Sequence, residues 1–154
     1  MAAGLGEASA IFAVADAGLK FSTTLLEYIR EAKGAPAQIN RIANVIETTS
    51  EQLKQVGQLI DNNVRRKVLS DSGVSSAQRC SDECNQILKT LRMTLCKNGW
   101  QQNFGDANAD IDISLWSAMQ WPFIKPKLEA PRAELDRIKL DLTFILTLAS
   151  VLQA

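Results

Sequence analysis

The sequence of 154 residues predicts an all-α fold, a bundle of four to five antiparallel helices. Apolar residues recur every three or four positions over most of the chain, which is the period of amphipathic helices. No segment alternates apolar and polar residues at period two, and none carries an Asn-Gly or Asp-Gly hairpin turn between such segments. A chain of this length can bury a sizeable core in one domain. We therefore expect residues 1–154 to form a single helical-bundle domain.

The opening segment, residues 1–29, is predicted to be an amphipathic helix that ends at a turn over residues 33–36. A signal peptide is a poor interpretation because the first charge is Glu7 and the first positive charge is Lys20. A permanent membrane span is also a poor interpretation, since Glu7 and Asp16 interrupt the apolar stretch. One face of the predicted helix collects its core candidates: Ile11, Ala15, Gly18, Ser22, Leu25 and Ile29.

Small residues form a second pattern along this helix. They follow an i, i+4 row made of Ala2, Gly6, Ala10, Val14 and Gly18. Small rows let helix backbones approach closely, in membranes especially. Tight packing inside a water-soluble bundle explains the same row, and the sequence leaves both interpretations open.

The second helix is predicted to begin near Pro36 and to run to about Leu69, because apolar positions keep a 3.5-residue period. Those positions are Ile39, Ile42, Ile46, Thr49, Leu53, Val56 and Ile60. The C-terminal end of this helix carries the cations Arg65, Arg66 and Lys67. Cations at this end interact favourably with the helix dipole, which is one explanation of the cluster. The alternative is a contact with anionic lipid or a partner. A loop is expected over residues 70–73.

The third helix is predicted to start at a capping box over residues 75–78. Its apolar face comprises Cys80, Cys84, Ile87, Leu88, Leu91 and Leu95. Cys80 and Cys84 are one helical turn apart, where disulfide geometry is rarely suitable, so we interpret both as small core residues. A long polar loop is expected near residues 97–113.

The last helix is predicted to lie centrally, because its final turns are apolar almost all round. One set of apolar residues keeps a helical spacing of three and four: Leu128, Leu135, Ile138, Leu142, Ile145, Ala149 and Leu152. The apolar residues on the remaining sides of the last turns are Leu140, Phe144, Leu146 and Leu148. Pro126 and Pro131 are expected in or near the first turn of this helix, or to kink it.

Composition argues against most catalytic classes. The chain has 17 basic and 17 acidic residues and no histidine. Histidine-dependent nucleophile pairs are therefore excluded, no glycine-rich phosphate loop follows a strand, and no global field attracts nucleic acid. Glu134 and Asp141 are better explained as salt-bridge partners of Arg137 or Lys139 than as an acid–base pair. We predict no catalytic residue, cofactor or metal, and the odd number of cysteines favours a reducing, cytoplasmic compartment.

Two stretches resemble a known family. They are "ASAIFAVADAGLKFSTTLLEYIREAKGAPAQINRIANVIETTSEQLKQV" near the start and "WPFIKPKLEAPRAELDRIKLDLTFILTLASVL" at the end. The alanine- and glycine-rich first helix, the "APAQI" turn and the tryptophan segment before "LEAPRAELDRIKLDLTFIL" are similar to fungal HeLo-like domains. Those domains stand at the N-terminus of signal-transducing NTPases (STAND, NLR-like receptors).

The resemblance implies an effector or signalling domain at the N-terminus of a longer receptor, related to HeLo bundles that trigger regulated cell death or defence. Such bundles oligomerise and send their N-terminal helix into a membrane. For this chain it implies homo-oligomerisation on activation, conditional binding of membrane lipids, cytoplasmic residence at rest and relocation to the plasma membrane. The helix residues concerned would be Leu5, Gly6, Ala10, Ile11, Phe12, Val14, Gly18 and Leu19. The alternative is a non-lytic module that binds partner proteins; neither hypothesis involves nucleic acid.

Overall fold

A computed structural model of the chain describes residues 3–31, 37–66, 69–95 and 116–153. They form four helices: α1 (Ala3–Glu31), α2 (Ala37–Arg66), α3 (Asp71–Leu95) and α4 (Trp116–Gln153). No strand occurs in these ranges, which confirms the all-α bundle. The turn expected over residues 33–36 and the loop expected near residues 97–113 lie outside the described residues.

The helices are arranged in a ring in the order α1, α2, α4, α3. Within the described ranges, α1 contacts α2 and α3, and α4 contacts the same two helices from the opposite side. α1 and α4 lie diagonally opposite and do not contact each other there. Both α1 and α4 are therefore held by the same pair of helices.

Helices that follow each other in the chain run antiparallel. In the α1–α2 pair, Gly57 lies beside Phe12, whereas Ser50 lies beside Gly18. Glu83 of α3 bonds Arg137 of α4 at 2.7 Å. A cavity further along the same pair is lined by Thr94 and residues 127–134 of α4. The up-down-up-down course matches the sequence expectation.

Two pairs of neighbouring helices in the ring, α2 with α4 and α1 with α3, run parallel. The reason is that the chain crosses the bundle diagonally between α2 and α3. Gln52 of α2 donates a hydrogen bond to Thr143 of α4 at 2.9 Å. Further along both helices, Asn62 and Ser150 line one shared cleft. Neighbours in this ring are therefore not set by chain order alone.

The core runs through the middle of the ring. Every predicted apolar position of the second helix is buried, with Thr49 fully enclosed among them. The side chains that α1, α3 and α4 bury on the same axis include Ile11, Phe21, Leu25, Cys80, Cys84, Leu88, Leu91, Leu95, Leu128, Leu135, Ile138 and Leu142. The spacing of apolar residues at every third or fourth position therefore predicted the core face of all four helices.

The start of α3 differs from the sequence expectation. α3 begins at Asp71, so residues 71–73, expected in a loop, are helical. The hydroxyl of Ser70 accepts a hydrogen bond from the Gly73 amide at 3.1 Å, and the Ser70 carbonyl accepts one from the Val74 amide at 3.0 Å. Ser70 is thus the N-cap residue, and the capping box predicted at residues 75–78 was wrong. α2 ends at Arg66, before the predicted limit at Leu69.

The last helix also differs from expectation in its start and in its position. α4 begins at Trp116, so Pro126 and Pro131 lie inside the helix rather than in its first turn. The prediction that this helix lies centrally was wrong, because α4 buries one face against α2 and α3 and exposes the other. Leu152, assigned to the core by its spacing, has 65% of its surface exposed.

The Ser70 cap can be tested against the serine that the sequence favoured. Ser70→Ala removes the acceptor of the Gly73 amide, and we expect a loss of about 1 kcal/mol of unfolding free energy. Ser75→Ala, at an exposed position inside α3, is the matched control and should change stability by less than about 0.5 kcal/mol. Urea unfolding followed by far-UV circular dichroism measures both variants. A larger loss at Ser75 than at Ser70 would restore the original assignment.

Candidate functional site

The buried face of α1 is the face that the sequence predicted. Ile11, Ala15 and Leu25 are fully enclosed, and Gly18 and Ser22 are buried with them. Ile29, the last member of the predicted face, is half-buried. α1 thus lies against α2 and α3 through a continuous strip that runs most of its length.

Two glycines set how closely α1 approaches its neighbours. A β-carbon at Gly18 would overlap the hydroxyl oxygen of Ser50 and come within 3.5 Å of Leu88. A β-carbon at Gly57 would stand 2.8 Å from the Phe12 ring and 3.3 Å from Ile11. Neither site accepts a side chain without displacing a neighbour. The sequence indicated Gly18 through its place in the small-residue row but gave no signal for Gly57.

The remaining members of the small-residue row do not share this environment. Gly6 and Ala10 are exposed and Val14 is half-buried, while Ala2 lies outside the described residues. Nothing lies within 4 Å of a β-carbon built at Gly6. The row therefore passes from solvent to the core as it winds round α1, and close packing inside the bundle explains only its Gly18 end.

The other residues proposed for membrane contact are divided between these environments. Phe12 and Leu19 are half-buried, and Phe12 packs against the core. Leu5 belongs to α1, but its side chain lies outside the described residues. Ala13 is exposed beside Ala10, and Asp16 is exposed one turn further on. The solvent face of α1 is thus made of small residues as far as Ala13 and is mainly charged from Asp16 onward.

The interior beside α1 contains hydroxyl groups without hydrogen-bond partners. The buried side-chain oxygens of Thr49, Ser50 and Ser81 have no hydrogen-bond partner among the described residues, whereas Ser22 donates to the Leu19 carbonyl at 2.9 Å. An unpaired buried hydroxyl costs about 1–3 kcal/mol. The α1–α2–α3 junction is therefore less stable than its apolar burial alone suggests.

A buried arginine lies at the same junction. Arg92 has 4% of its surface exposed, and its guanidinium carbon lies 5.7 Å from the centre of the Phe21 ring. This distance permits a cation–π interaction between α3 and α1. Arg92 lies one residue after Leu91, on the apolar face of α3, and that position was the sequence signal that could have identified it.

An apolar strip faces solvent on α4. We call it the α4 ridge, and it consists of Leu140, Phe144, Leu148, Val151 and Leu152. The exposed fractions of these side chains range from 42% to 68%. Four of the five repeat at intervals of four residues, so they form a continuous row along the helix. A patch of this size on a water-soluble protein commonly marks a contact site.

A groove of about 390 Å³ runs beside the α4 ridge, between the start of α3 and the end of α4. Its α4 wall includes Phe144, Leu148 and Leu152, and its α3 wall includes Ser76 and Arg79. Arg79 forms no ion pair with any residue in the described ranges. The α4 wall is thus mainly apolar with one carboxylate, Asp141, and the α3 wall is mainly polar with one cation, Arg79.

The two described cysteines are unreactive core residues, as the sequence indicated. Cys80 and Cys84 are buried and free. Burial, reinforced by the carboxylates of Asp141 and Glu83, raises the pKa of the Cys80 thiol to about 11, and burial raises the pKa of Cys84 to about 12. Both thiols therefore stay protonated near neutral pH, which makes them poor nucleophiles and poor metal ligands.

The charged residues of α4 make salt bridges on its solvent side. Arg137 bonds Glu83 at 2.7 Å and Asp141 at 3.4 Å. Asp141 is thus an ion-pair partner, in line with the sequence interpretation, whereas Glu134 forms no ion pair with any residue in the described ranges. No group of three or more Cys, Asp or Glu residues in those ranges is placed to hold a metal ion.

The basic cluster predicted at the end of the second helix lies at the edge of the described chain. Arg65 and Arg66 belong to the last turn of α2, but their side chains are outside the described residues, as is the whole of Lys67. Its contact with lipid or a partner stays a prediction.

One helix in the described ranges is long and apolar enough to cross a membrane. It is the 25-residue segment Gly6–Arg30 of α1. About a third of the most apolar stretch of this segment is buried in the bundle. Core helices of water-soluble proteins and N-terminal signal sequences meet the same criterion. Length and composition therefore allow a membrane role for α1 without requiring it.

No family model, curated protein or solved structure matches this chain significantly. The similarity to fungal HeLo-like domains therefore rests on the two sequence stretches described above.

The close contact at Gly18 can be tested by adding one methyl group. Gly18→Ala should lower the unfolding free energy by about 1–2 kcal/mol, because overpacking at Ser50 outweighs the gain in helix propensity. Gly6→Ala is the matched control in the same helix and should raise stability by up to about 1 kcal/mol, since its β-carbon meets nothing. Urea unfolding measures both. Adding Ser50→Ala to Gly18→Ala should recover part of the loss, and equal effects at Gly6 and Gly18 would contradict the close contact.

Proposed function

We propose that this chain is an N-terminal effector and signalling domain of a fungal NLR-like (STAND) receptor. In this proposal the domain oligomerises and delivers α1 to a membrane, and so triggers regulated cell death or defence. The sequence resemblance supplies the biological context. The observation that carries the physical step is that α1 is a span-length apolar helix that, within the described ranges, is held in the bundle by α2 and α3 and not by α4.

The ring arrangement supports a separable α1. Since α1 does not contact α4 within the described ranges, its departure would leave the α2–α4 and α3–α4 interfaces unchanged. The three remaining helices would keep the hydrogen bond between Gln52 and Thr143 and the ion pair between Glu83 and Arg137. Release of α1 therefore need not unfold the rest of the domain.

The energetics of α1 require a trigger but do not forbid release. Burial of Ile11, Phe21 and Leu25 contributes about 1.5–3 kcal/mol for each side chain. The buried hydroxyl of Ser50, which lies against Gly18 and has no hydrogen-bond partner in the described ranges, opposes that gain, because water would satisfy it once α1 left. Membrane contacts made by several copies together would supply the remaining free energy.

Charges on α1 restrict how it can enter a bilayer. Asp16 is exposed in the resting bundle and Glu7 is half-buried. A charge at the centre of a span costs at least about 2.5–3.5 kcal/mol. We infer that Asp16 faces a water-filled space between copies or stays at the interface, which makes oligomerisation part of the mechanism. Arg65, Arg66 and Lys67 would then be candidates for contact with anionic headgroups.

The test uses α1 positions that are exposed at rest. The double variant Ala10→Asp/Ala13→Asp leaves the core untouched but places two charges in the segment that would enter the bilayer. If α1 inserts, dye leakage should slow more than about tenfold. Leakage is measured on vesicles of phosphatidylcholine, phosphatidylserine and nickel-chelating lipid, on which the His-tagged chain is clustered. Phe12→Asp is a weaker choice, because Phe12 packs over Gly57 and its loss also disturbs the fold.

The matched control is Ala130→Asp/Ala133→Asp on α4, which has the same spacing, the same substitutions and the same exposure. Urea midpoints of both double variants establish that each remains folded. The control should leak like the parent chain. Absence of leakage by the parent, or equal leakage by both double variants, would count against insertion of α1.

A non-lytic interaction module is the second candidate, and the α4 ridge favours it. Its five exposed apolar side chains offer a protein contact that needs no movement of α1. Co-sedimentation with phosphatidylserine vesicles, carried out at chain concentrations high enough for self-association and without nickel-chelating lipid, separates the two candidates. An effector should pellet with the vesicles, whereas an adaptor that keeps α1 in the bundle should stay in the supernatant.

A further inference from the structure

We propose that the α4 ridge is the contact through which two copies of this chain pair, with the two α4 helices antiparallel across a two-fold axis. The inference deepens the oligomerisation step of the proposed function, on which it rests, by naming its surface and its register. A homotypic contact of this kind is isologous, so the surface must be complementary to itself.

The spacing of the ridge meets that requirement. Leu140, Phe144, Leu148 and Leu152 are separated by equal steps of four residues. An antiparallel copy centred on residue 146 places Leu140 opposite Leu152 and Phe144 opposite Leu148. The row of four can therefore pack against its own copy with each of its apolar side chains opposite another.

The charges along α4 are compatible with the same register. Residues 142–152 contain no charged side chain. The nearest charged side chains all lie among residues 136–141, at one end of the ridge, where Arg137 pairs with Asp141. Antiparallel packing sets that charged end against the uncharged end of the second copy. Like charges are thus kept apart, which a parallel pairing would not achieve.

The exposed area favours a weak, reversible dimer. Five side chains that are 42–68% exposed present on the order of 500 Å² per copy, at the upper end of the largest patches on monomers. Stable interfaces bury about 800 Å² per partner, so the ridge by itself falls below that class. We expect a dissociation constant in the micromolar range, which suits a domain that associates only when a receptor concentrates it.

Sedimentation equilibrium from about 1 to 300 µM tests the contact, a range chosen to bracket a micromolar dimer. The parent chain should pass from its monomer mass of 16.9 kDa to twice that mass. Phe144→Glu/Leu148→Glu should weaken the dimer at least about 100-fold, since four charges would be buried without partners. Ser150→Glu, an exposed position on another side of α4, is the control and should leave the dimer unchanged.

A mixing experiment tests the register. A copy that carries Phe144→Glu and a copy that carries Leu148→Lys should each dimerise poorly alone. Together they should associate, because the antiparallel register sets the new carboxylate against the new ammonium and leaves the other apolar pair intact. A parent chain that stays monomeric throughout, or a dimer that survives Phe144→Glu/Leu148→Glu, would overturn the proposal. Failure to recover association on mixing would overturn the antiparallel register.

The two proposals fail separately. Phe144→Glu/Leu148→Glu removes the dimer without altering α1, and Ala10→Asp/Ala13→Asp alters α1 without touching the ridge. Dimers of a parent chain that causes no leakage would keep the ridge contact and refute membrane action. Leakage by a parent chain that never dimerises would keep membrane action and refute the ridge contact. The ridge would then bind a different partner, such as an acidic helix attracted by Arg79.

Discussion

The close approach of α1 to α2 is the constraint on which the rest of the structure depends. Glycine at positions 18 and 57 lets the two backbones come together. Ser50 of α2 lies against Gly18 of α1, and Phe12 of α1 lies against Gly57 of α2. That approach brings the apolar strip of α1 onto the core and turns its small residues, Gly6 and Ala10, toward solvent. The same contact seals the hydroxyl of Ser50 away from water, and no residue in the described ranges forms a hydrogen bond with it. Close packing and local instability thus have one structural origin.

The ring order gives the two ends of the chain different roles. α1 and α4 occupy opposite corners, each supported by α2 and α3. α1 offers a helix whose departure leaves the other interfaces in place, and α4 offers an exposed apolar ridge that stays available while α1 moves. In the proposed mechanism, pairing through α4 gathers copies, and the gathered copies share the cost of placing Asp16 in or near a bilayer. Neither step needs a cofactor or a catalytic group.

Sequence periodicity predicted the helices and the core because burial along a helix repeats every three or four residues, as Ile39 to Ile60 show. It failed at the start of α3, where Ser70 and Ser75 are equally good caps by residue type and only the backbone path decides. It also placed α4 centrally, because an exposed apolar row has the same sequence pattern as a buried one. Gly57 gave no signal at all, since a glycine at a helix crossing is visible only once the neighbouring helix is in place.

Native-state hydrogen exchange, read by mass spectrometry across increasing urea concentration, tests most directly whether α1 is a separable element. Amides in α1 should exchange through an opening whose free energy lies below that of global unfolding, while amides of α3 and α4 should exchange only with global unfolding. Clustering the chain on vesicles should lower the protection of the side of α2 that α1 covers. If α1 and α4 exchanged with one common free energy under both conditions, α1 would be an integral part of a single cooperative unit and its release would be contradicted.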